Sequence, residues 1–507
     1  PPARSRRHPA AASPDRQEER LLVITCSPNG ATSTTRAISK YFIECYKEVW
    51  PRHAVTEVDL STRGLLPPLE AIDTDPSALS KSYKLVEQFG SHTKFLVATP
   101  MWNMSLPSSL KLYFDLLLHP SHADKTEGPD WPCATSPVAV VTASGEGMLG
   151  GSEDFLTPYL ARLLSLLGFK DIRTQLTVNG TSDEEKLADL LEAAYREVRL
   201  MAPNFVFNPE TQRPMHVPPR WSMQGNVDLM QRCPHGPNLL AINGALPGEE
   251  MVVAEQVISR FGKLHMTALG PEAREGVAGD QSQAEWPEPT VKVVELASLG
   301  LDHFSKQAAE AKVHCKMGLS PEATGLNLTS QIWKMVETVI KEFRAADCYL
   351  FLVPMSNLFV PYCVKNYFDH IIQPGRTYDP QGKANVHKPV YVCATSCGKH
   401  HLGTHADFLT PYFHAVFKLM GFVDVRVVNI ADFGDDRDIS MQVAVDELAF
   451  HMRPCVRVYI DPDSALAPLP PSYTCLKSNR SSMESQESQQ LQQVMEAESV
   501  QEWRLRR

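Results

Sequence analysis

The sequence predicts an α/β protein of two tandem domains, each a five-stranded parallel sheet with helices on both faces. Two observations carry that prediction. The chain repeats itself: Pro100-Met101-Trp102-Asn103 with Pro107, Lys111 and Tyr113-Phe114-Asp115 returns as Pro354-Met355-Ser356-Asn357 with Pro361, Lys365 and Tyr367-Phe368-Asp369, every position offset by 254. The block Asp154 to Tyr159 returns as Asp407 to Tyr412, and Gly168-Phe169 as Gly421-Phe422, both offset by 253. Two blocks in register mark a duplication. Within each copy, short apolar runs alternate with longer segments of helical spacing. That is the pattern of βα units whose strands are buried on both faces.

In the first copy the apolar runs place strands at 21–25, 55–59, 94–99, 137–142 and 172–178. Helices are expected near 34–48, 78–90, 107–118, 153–167 and 183–199. The second copy supplies strands at 239–243, 291–296, 348–353, 390–395 and 425–430. Its first strand is offset by only 218, so about 36 residues were gained before Pro354. The expected organisation is a disordered tail over 1–20, a first domain over 21–200, a Pro-rich linker over 201–237, a second domain over 238–460, and a low-complexity tail over 461–507.

Composition narrows the function. At 507 residues and 43% hydrophobic, the chain exceeds one core and can fill two. A formal charge of −10 argues against a general nucleic-acid partner. No apolar run approaches the length of a membrane span. Eleven scattered cysteines without CxxC suit reduced thiols in a cytoplasmic setting. The Arg- and Ala-rich opening from Pro1 reads as a disordered tail, with a remnant of an organelle transit peptide as the alternative.

Ligands of open α/β sheets bind outside the carboxyl ends of the strands. Three loops of the first copy lie there. The first, from Ser27 to Thr35, joins strand to helix and carries Ser27, Ser33, Thr34 and Thr35. Free N–H groups at a helix start, joined by hydroxyls, hold a phosphate; helix capping alone is the plainer reading. No lysine stands in that loop and GxxxxGK[ST] is absent, so a phosphate monoester held by neutral donors is favoured. The second loop runs from Pro100 to Pro107 and the third from Ala143 to Gly151. Gly145 to Gly150 also satisfies GxGxxG, but it follows the fourth strand instead of the first, which argues against a Rossmann dinucleotide site.

In these loops the first copy resembles the FMN-dependent NADH-azoreductases and NAD(P)H quinone reductases of the flavodoxin-like superfold. The resemblance covers roughly residues 20–200, and more weakly 238–432. It implies that Ser27 and Ser33-Thr34-Thr35 hold the FMN phosphate. The family's Pro-Met-Tyr-Asn-Phe loop matches Pro100-Met101-Trp102-Asn103-Met104, so Met101, Trp102, Asn103 and Met104 are expected along the isoalloxazine ring. Its Ser-Arg-Gly-Gly loop is here Ala143-Ser144-Gly145-Glu146, without the arginine and the second glycine. Reduction puts negative charge on one edge of the flavin, which backbone N–H groups can stabilise without a cation.

The activity implied is two-electron transfer from NADH or NADPH through FMN to a quinone or azo compound by ping-pong kinetics. An NAD(P)H:FMN reductase or flavodoxin-like electron carrier is one alternative. A non-catalytic scaffold of two decayed domains is the other. The second copy has Ala245 opposite Ser27 and Met251-Val252-Val253 opposite the hydroxyl trio. A phosphate there would forgo several hydrogen bonds of about 1.5–3 kcal/mol each. Lys399-His400-His401 and His405 lack an identified carboxylate or thiolate partner for a metal; an exposed loop is the plainer reading, with His401 at the substrate cleft as the alternative. Single-domain relatives are usually homodimers whose partner walls the active site. An intramolecular pseudo-dimer of the two copies is therefore expected, with FMN in the first alone.

Overall fold

The computed structural model describes residues 19–29, 32–122, 132–208, 233, 235–269, 288–304, 308–309, 312, 331–379, 381–382, 385–396, 402, 404, 406–431 and 441–449. The expected tails lie almost wholly outside these residues, as do His400, His401, His405 and most of the expected linker.

Among the described residues two five-stranded parallel sheets form, one per copy. The first contains β1 (Arg20–Thr25), β2 (Ala54–Asp59), β3 (Lys94–Pro100), β4 (Pro137–Ser144) and β5 (Asp171–Asn179), in the order β2-β1-β3-β4-β5. Its helices are α1 (Thr34–Val49), α2 (Pro76–Gly90), α3 (Ser108–Leu117), α4 (Thr157–Leu166) and α5 (Glu184–Met201). The second contains β6 (Asn238–Asn243), β7 (Thr290–Glu295), β8 (Cys348–Pro354), β9 (Val390–Ser396) and β10 (Val425–Ala431), with α6 (Glu249–Leu269), α7 (Gln331–Ala345), α8 (Tyr362–Ile371) and α9 (Leu409–Leu419). Its order, β10-β9-β8-β6-β7, is the first order reversed in listing and identical in topology.

The expected strands all form, each within two residues of its expected bounds. One helix starts later than its periodicity suggests. The expected start at 153 becomes Thr157, because Asp154 accepts the amides of Leu156 and Thr157 and so sets the first turn beyond itself. The expected linker is also not simply a connector. Phe205 is buried edge-on against Phe42, and the carbonyls of Asn204 and Val206 accept from Arg173. At its other end Cys233 and His235 are buried in the second copy. Apolar side chains at both ends of a polar, Pro-rich stretch explain why its ends pack.

In the first sheet Thr25 stands beside both Asp59 and Ala98, and Pro100 beside Ala143. The carboxyl ends of β2, β1, β3 and β4 therefore lie side by side, with the switch in strand order between β1 and β3. The loops that leave them are neighbours by construction.

Every residue of α3 and of α8 is buried. A helix on one sheet ordinarily shows solvent one face; these two pack against each other, each covering the other's outer side. One apolar core, including Leu110, Tyr113 and Phe155 from the first copy and Phe359, Phe368 and Tyr412 from the second, runs across both. No helix among the described residues is long and apolar enough to cross a membrane.

Candidate functional site

Ser27 lies just past β1 and is buried. Its hydroxyl accepts from the Asn29 amide at 3.4 Å, which leaves its own proton to give. Ser33 caps α1 with extended backbone, its oxygen accepting from the Arg36 amide at 3.3 Å and lying 3.1 Å from the Thr35 hydroxyl. The amides of Thr34 and Thr35, in the first turn of α1, have no partner among the described residues. Those N–H groups carry the positive end of the helix dipole. Thr34 is half-buried, and Ser33 and Thr35 are buried.

Sequence reasoning missed Arg36. Its guanidinium turns back along the loop and donates to the Ser27 carbonyl through Nε at 3.2 Å and Nη2 at 2.8 Å. The same Nη2 reaches the Asp59 carboxylate at 2.6 Å and Ser61 Oγ at 2.9 Å. Burial alone would raise the Asp59 pKa, but the bonds from Arg36 and Ser61 prevail and hold it below the ordinary range. The loop thus has a cation at its side whose charge is balanced by one carboxylate. A basic residue in the first turn of a helix, against the dipole, was the available signal.

The second loop is a tight turn. Trp102 and Ser105 exchange both backbone hydrogen bonds, at 2.8 and 3.0 Å, across Asn103 and Met104 with φ of 44° and 66°. Two residues at positive φ make a type I′ turn, and neither is glycine. The surroundings enforce it. Met104 is buried with its carbonyl accepting from Phe155 N, and Asn103 Nδ2 donates to the Asp369 carboxylate at 2.9 Å. The turn's own amides, at Asn103 and Met104, have no partner among the described residues. Met101 N donates to the Ala143 carbonyl at 2.8 Å, which ties this loop to the third. Ser356-Asn357-Leu358-Phe359 repeats the turn, with φ of 49° and 67° at its centre.

Trp102 is half-buried, and its indole N–H has no acceptor among the described residues. Its ring meets Phe304 edge-on at 5.2 Å, and the Lys312 ammonium sits 5.1 Å from its centre while donating to Asn103 Oδ1 at 2.6 Å. Phe304 and Lys312 come from the stretch between β7 and β8, which is longer than the one between β2 and β3.

In the third loop Ala143 and Ser144 are buried, Gly145 is half-buried and Glu146 is exposed. A side chain at Gly145 would meet Ser182 Oγ at 2.6 Å, so a larger residue there would have to turn the serine aside. The loop is pinned by Asn179, which accepts from Leu149 N at 3.0 Å and donates to its carbonyl, and by Asp154, which accepts from Gly150 N at 2.8 Å. Glu146 lies near Tyr378 of the second copy. Burial, with that carboxylate adding to it, pushes the Tyr378 phenol up to about 12.

The repeated Lys-x-Tyr-Phe-Asp helix serves the contact between copies. Lys111 bonds Asp115 at 2.6 Å, and Lys365 bonds Asp369, all four buried. Asp115 accepts from Asn357 Nδ2 at 2.7 Å, and Asp369 from Asn103 Nδ2 and from Ser108 N at 2.9 Å. Each copy's turn asparagine thus bonds the other copy's aspartate. The Thr-Pro-Tyr motifs open α4 and α9 and send Tyr159 against Phe359 at 4.6 Å and Tyr412 against Phe155 at 5.7 Å.

The second copy's first loop is built differently. Asn243, opposite Thr25, accepts the Ala245 amide at 3.0 Å and donates to Glu295 at 2.7 Å and to the Met251 sulfur. Glu295 occupies the Asp59 position, and Ala254 stands where Arg36 does. Burial raises the Glu295 pKa, with Glu255 adding to it, against the bond from Asn243.

The family model described as flavodoxin-like fold matches residues 19–200 and 275–451. The chain belongs to that family. It is similar to FMN-dependent NADH:quinone oxidoreductase 4 of Pseudomonas fluorescens, 32% identical over 204 residues, which cover 37% of this chain and 97% of the relative. It is also similar to FMN-dependent NADH:quinone oxidoreductase 5 of Burkholderia lata, 29% identical over 197 residues, covering 36% and 95%. Among solved structures, an FMN-dependent NADH-azoreductase of Bacillus anthracis in complex with FMN shares 18% identity over 37% of this chain and 99% of its own, with a TM-score of 0.33. The two matched regions of this family member fall one on each copy, as the internal repeat requires.

Proposed function

We propose that the first copy holds FMN across its three loops and passes two electrons from NADH or NADPH to a quinone or azo compound. The observation that carries the reading is the first loop. Two unpartnered amides at the start of α1, with the hydroxyls of Ser27, Ser33, Thr34 and Thr35 around them, suit a phosphate monoester. Arg36 neutralises Asp59, the carboxylate that would otherwise face that phosphate. The fit extends to the ring: the amides at Asn103 and Met104 and the indole N–H of Trp102, without partners among the described residues, are donors that suit its polar edge.

When bound, FMN supplies the hydride acceptor and the two-electron store. The chain supplies placement and charge. The amides of Asn103 and Met104 would donate to the ring's polar edge, where negative charge develops, with Met101 and Trp102 holding that turn through their bonds to Ala143 and Ser105 and the loop from Ala143 to Glu146 beside it. Lys312 adds a cation beside Asn103. Phe304 and Tyr378, from the second copy, restrict the approach to Trp102 and to Glu146 and so limit access of water. The second copy acts as the built-in partner of a pseudo-dimer, and the reciprocal Asn103–Asp369 and Asn357–Asp115 bonds support that role. Its own first loop carries no phosphate.

Steady-state kinetics test the reaction. NADH and a quinone varied together should give parallel double-reciprocal lines, with flavin remaining on the protein through gel filtration after turnover. Flavin that leaves with each cycle would replace this reading with an NAD(P)H:FMN reductase. A colourless protein that takes up no FMN would leave only a scaffold.

A further inference from the structure

The amino ends of the two sheets differ as sharply as their carboxyl ends. In the first copy β3 begins with Lys94, whose buried ammonium donates to the Phe205 carbonyl at 2.6 Å and pairs with Glu19 at 2.8 Å. At the repeat position β8 begins with Cys348, and the side chains around it are His235 and His265, both wholly buried. His235 Nε2 lies 2.7 Å from His265 Nδ1 and 3.5 Å from Cys348 Sγ, and the three atoms fall within 4.8 Å of one another.

We propose that His235, His265 and Cys348 bind a zinc ion, which fastens the segment ahead of β6 to α6 and to the start of β8. The orientation of the rings supports it. His265 donates its outer Nε2–H to the Pro237 carbonyl at 2.8 Å, which fixes Nδ1 as a lone pair facing the cluster. His235 presents Nδ1 to the Tyr391 hydroxyl at 3.3 Å, leaving Nε2 turned inward. Outer oxygens that hold each imidazole by its far nitrogen are what orient histidine ligands at metal sites.

The spacing is close to what zinc requires. Bonds of about 2.0 Å to nitrogen and about 2.3 Å to sulfur, at tetrahedral angles, put two nitrogens about 3.3 Å apart and nitrogen and sulfur about 3.6 Å apart. The sulfur already stands at that distance from His235 and within 4.8 Å of His265, and the imidazoles must part by roughly half an ångström. The Gly236 and Asn238 carbonyls, 3.6 and 3.7 Å from the same sulfur, are oxygens at hand for a fourth position.

Charge fits as well. Zinc with one thiolate and two neutral imidazoles carries a net single positive charge, as does the ammonium of Lys94 at the matching place. Asp347, which accepts from Asn238 at 2.7 Å, stands beside the cluster as Glu19 stands beside Lys94. Binding releases the Cys348 thiol proton to solvent and moves the His235 ring proton from Nε2 to Nδ1, where it is donated to Tyr391. Without metal the same residues form a chain of buried hydrogen bonds, and that is the competing outcome.

Elemental analysis of the full-length protein, purified without chelators and dialysed against metal-free buffer, decides between them. The expected result is about one zinc per chain, falling below roughly a tenth in Cys348→Ser and unchanged in Cys45→Ser. Wild type without zinc, or zinc retained in Cys348→Ser, overturns the proposal. Should that variant fail to accumulate, cobalt-substituted wild type answers instead. A sulfur-to-cobalt charge-transfer band supports the site, and its absence overturns it. Neither readout depends on flavin.

Discussion

The loops after β1 and β6 began as the same piece of chain and are now built differently. After β1, two helix amides have no partner among the described residues, Ser27, Ser33, Thr34 and Thr35 stand in the same loop and helix start, and the local carboxylate is tied to Arg36. After β6, the hydroxyls have become Ala245, Met251, Val252 and Val253, and the Ala245 amide is satisfied by Asn243. The arginine is gone, and the carboxylate of Glu295 remains. The loop after β6 is closed by its own asparagine and keeps a carboxylate without the arginine that balances it after β1. The turns and helices at the contact between copies, by contrast, have kept Asn, Lys and Asp at every matching position. The ligand end has diverged, while the polar pairs that join the copies are kept.

The largest expected effect lies in the first loop. Ser27→Ala combined with Thr35→Val removes two hydrogen bonds to a charged phosphate, about 1.5–3 kcal/mol each, and should weaken FMN binding by about a hundredfold or more. Fluorescence titration with FMN checks this. Unchanged affinity would erase the proposed difference between the loops.

The contact between copies should respond alike from either side. Lys111→Met or Lys365→Met leaves a buried aspartate without its cation, and each should cost about 3–5 kcal/mol of stability in urea unfolding. A silent variant on one side would break the symmetry inferred for α3 and α8.

A smaller effect is expected at Arg36. Arg36→Gln frees the Asp59 charge beside the phosphate and should weaken FMN about tenfold, roughly 1.4 kcal/mol. Adding Asp59→Asn should restore part of the loss. An additive double mutant would show that the pair does not act as a unit.

The last effect separates the copies by pH. His370 stands where the first copy has Leu116. Burial lowers its pKa from 6.5 to about 4, helped by Lys312 and opposed by the Asn366 carbonyl, Asp369 and Asp302. Folded His370 therefore stays neutral while the unfolded residue takes a proton. Stability should fall as pH drops from 6.5 toward 4, by at most about 1.4 kcal/mol per pH unit for this one group. His370→Gln should flatten that slope, measured by thermal unfolding across the same range. An unaltered slope would place the acid sensitivity elsewhere.

Much of this architecture was legible in the sequence because its signals are periodic. Apolar runs of five to seven residues, alternating with longer helical segments, read as buried parallel strands, and offsets of 254 and 253 made one copy a check on the other. The hydroxyl trio was visible for the same reason, since its loss after β6 stood out against its presence after β1. What escaped was set by tertiary contact. Arg36 looks like any surface residue of an amphipathic helix until its side chain is seen turned toward Ser27 and Asp59. Asn103 read as a ring contact, whereas its side chain lies between Asp369 and Lys312 and only its backbone amide remains open. Phe304, Lys312 and Tyr378 lie far from Trp102 and Glu146 along the chain, and nothing local to them announces the meeting. His235 and His265 carry no recognisable spacing to Cys348.

Flavin stoichiometry tests the central claim most directly. The chain, purified and saturated with FMN, then freed of excess, should carry one flavin per polypeptide by absorbance after denaturation. Two flavins per polypeptide would mean that the loop closed by Asn243 and Glu295 still holds a phosphate, and the account of divergent loops would be wrong.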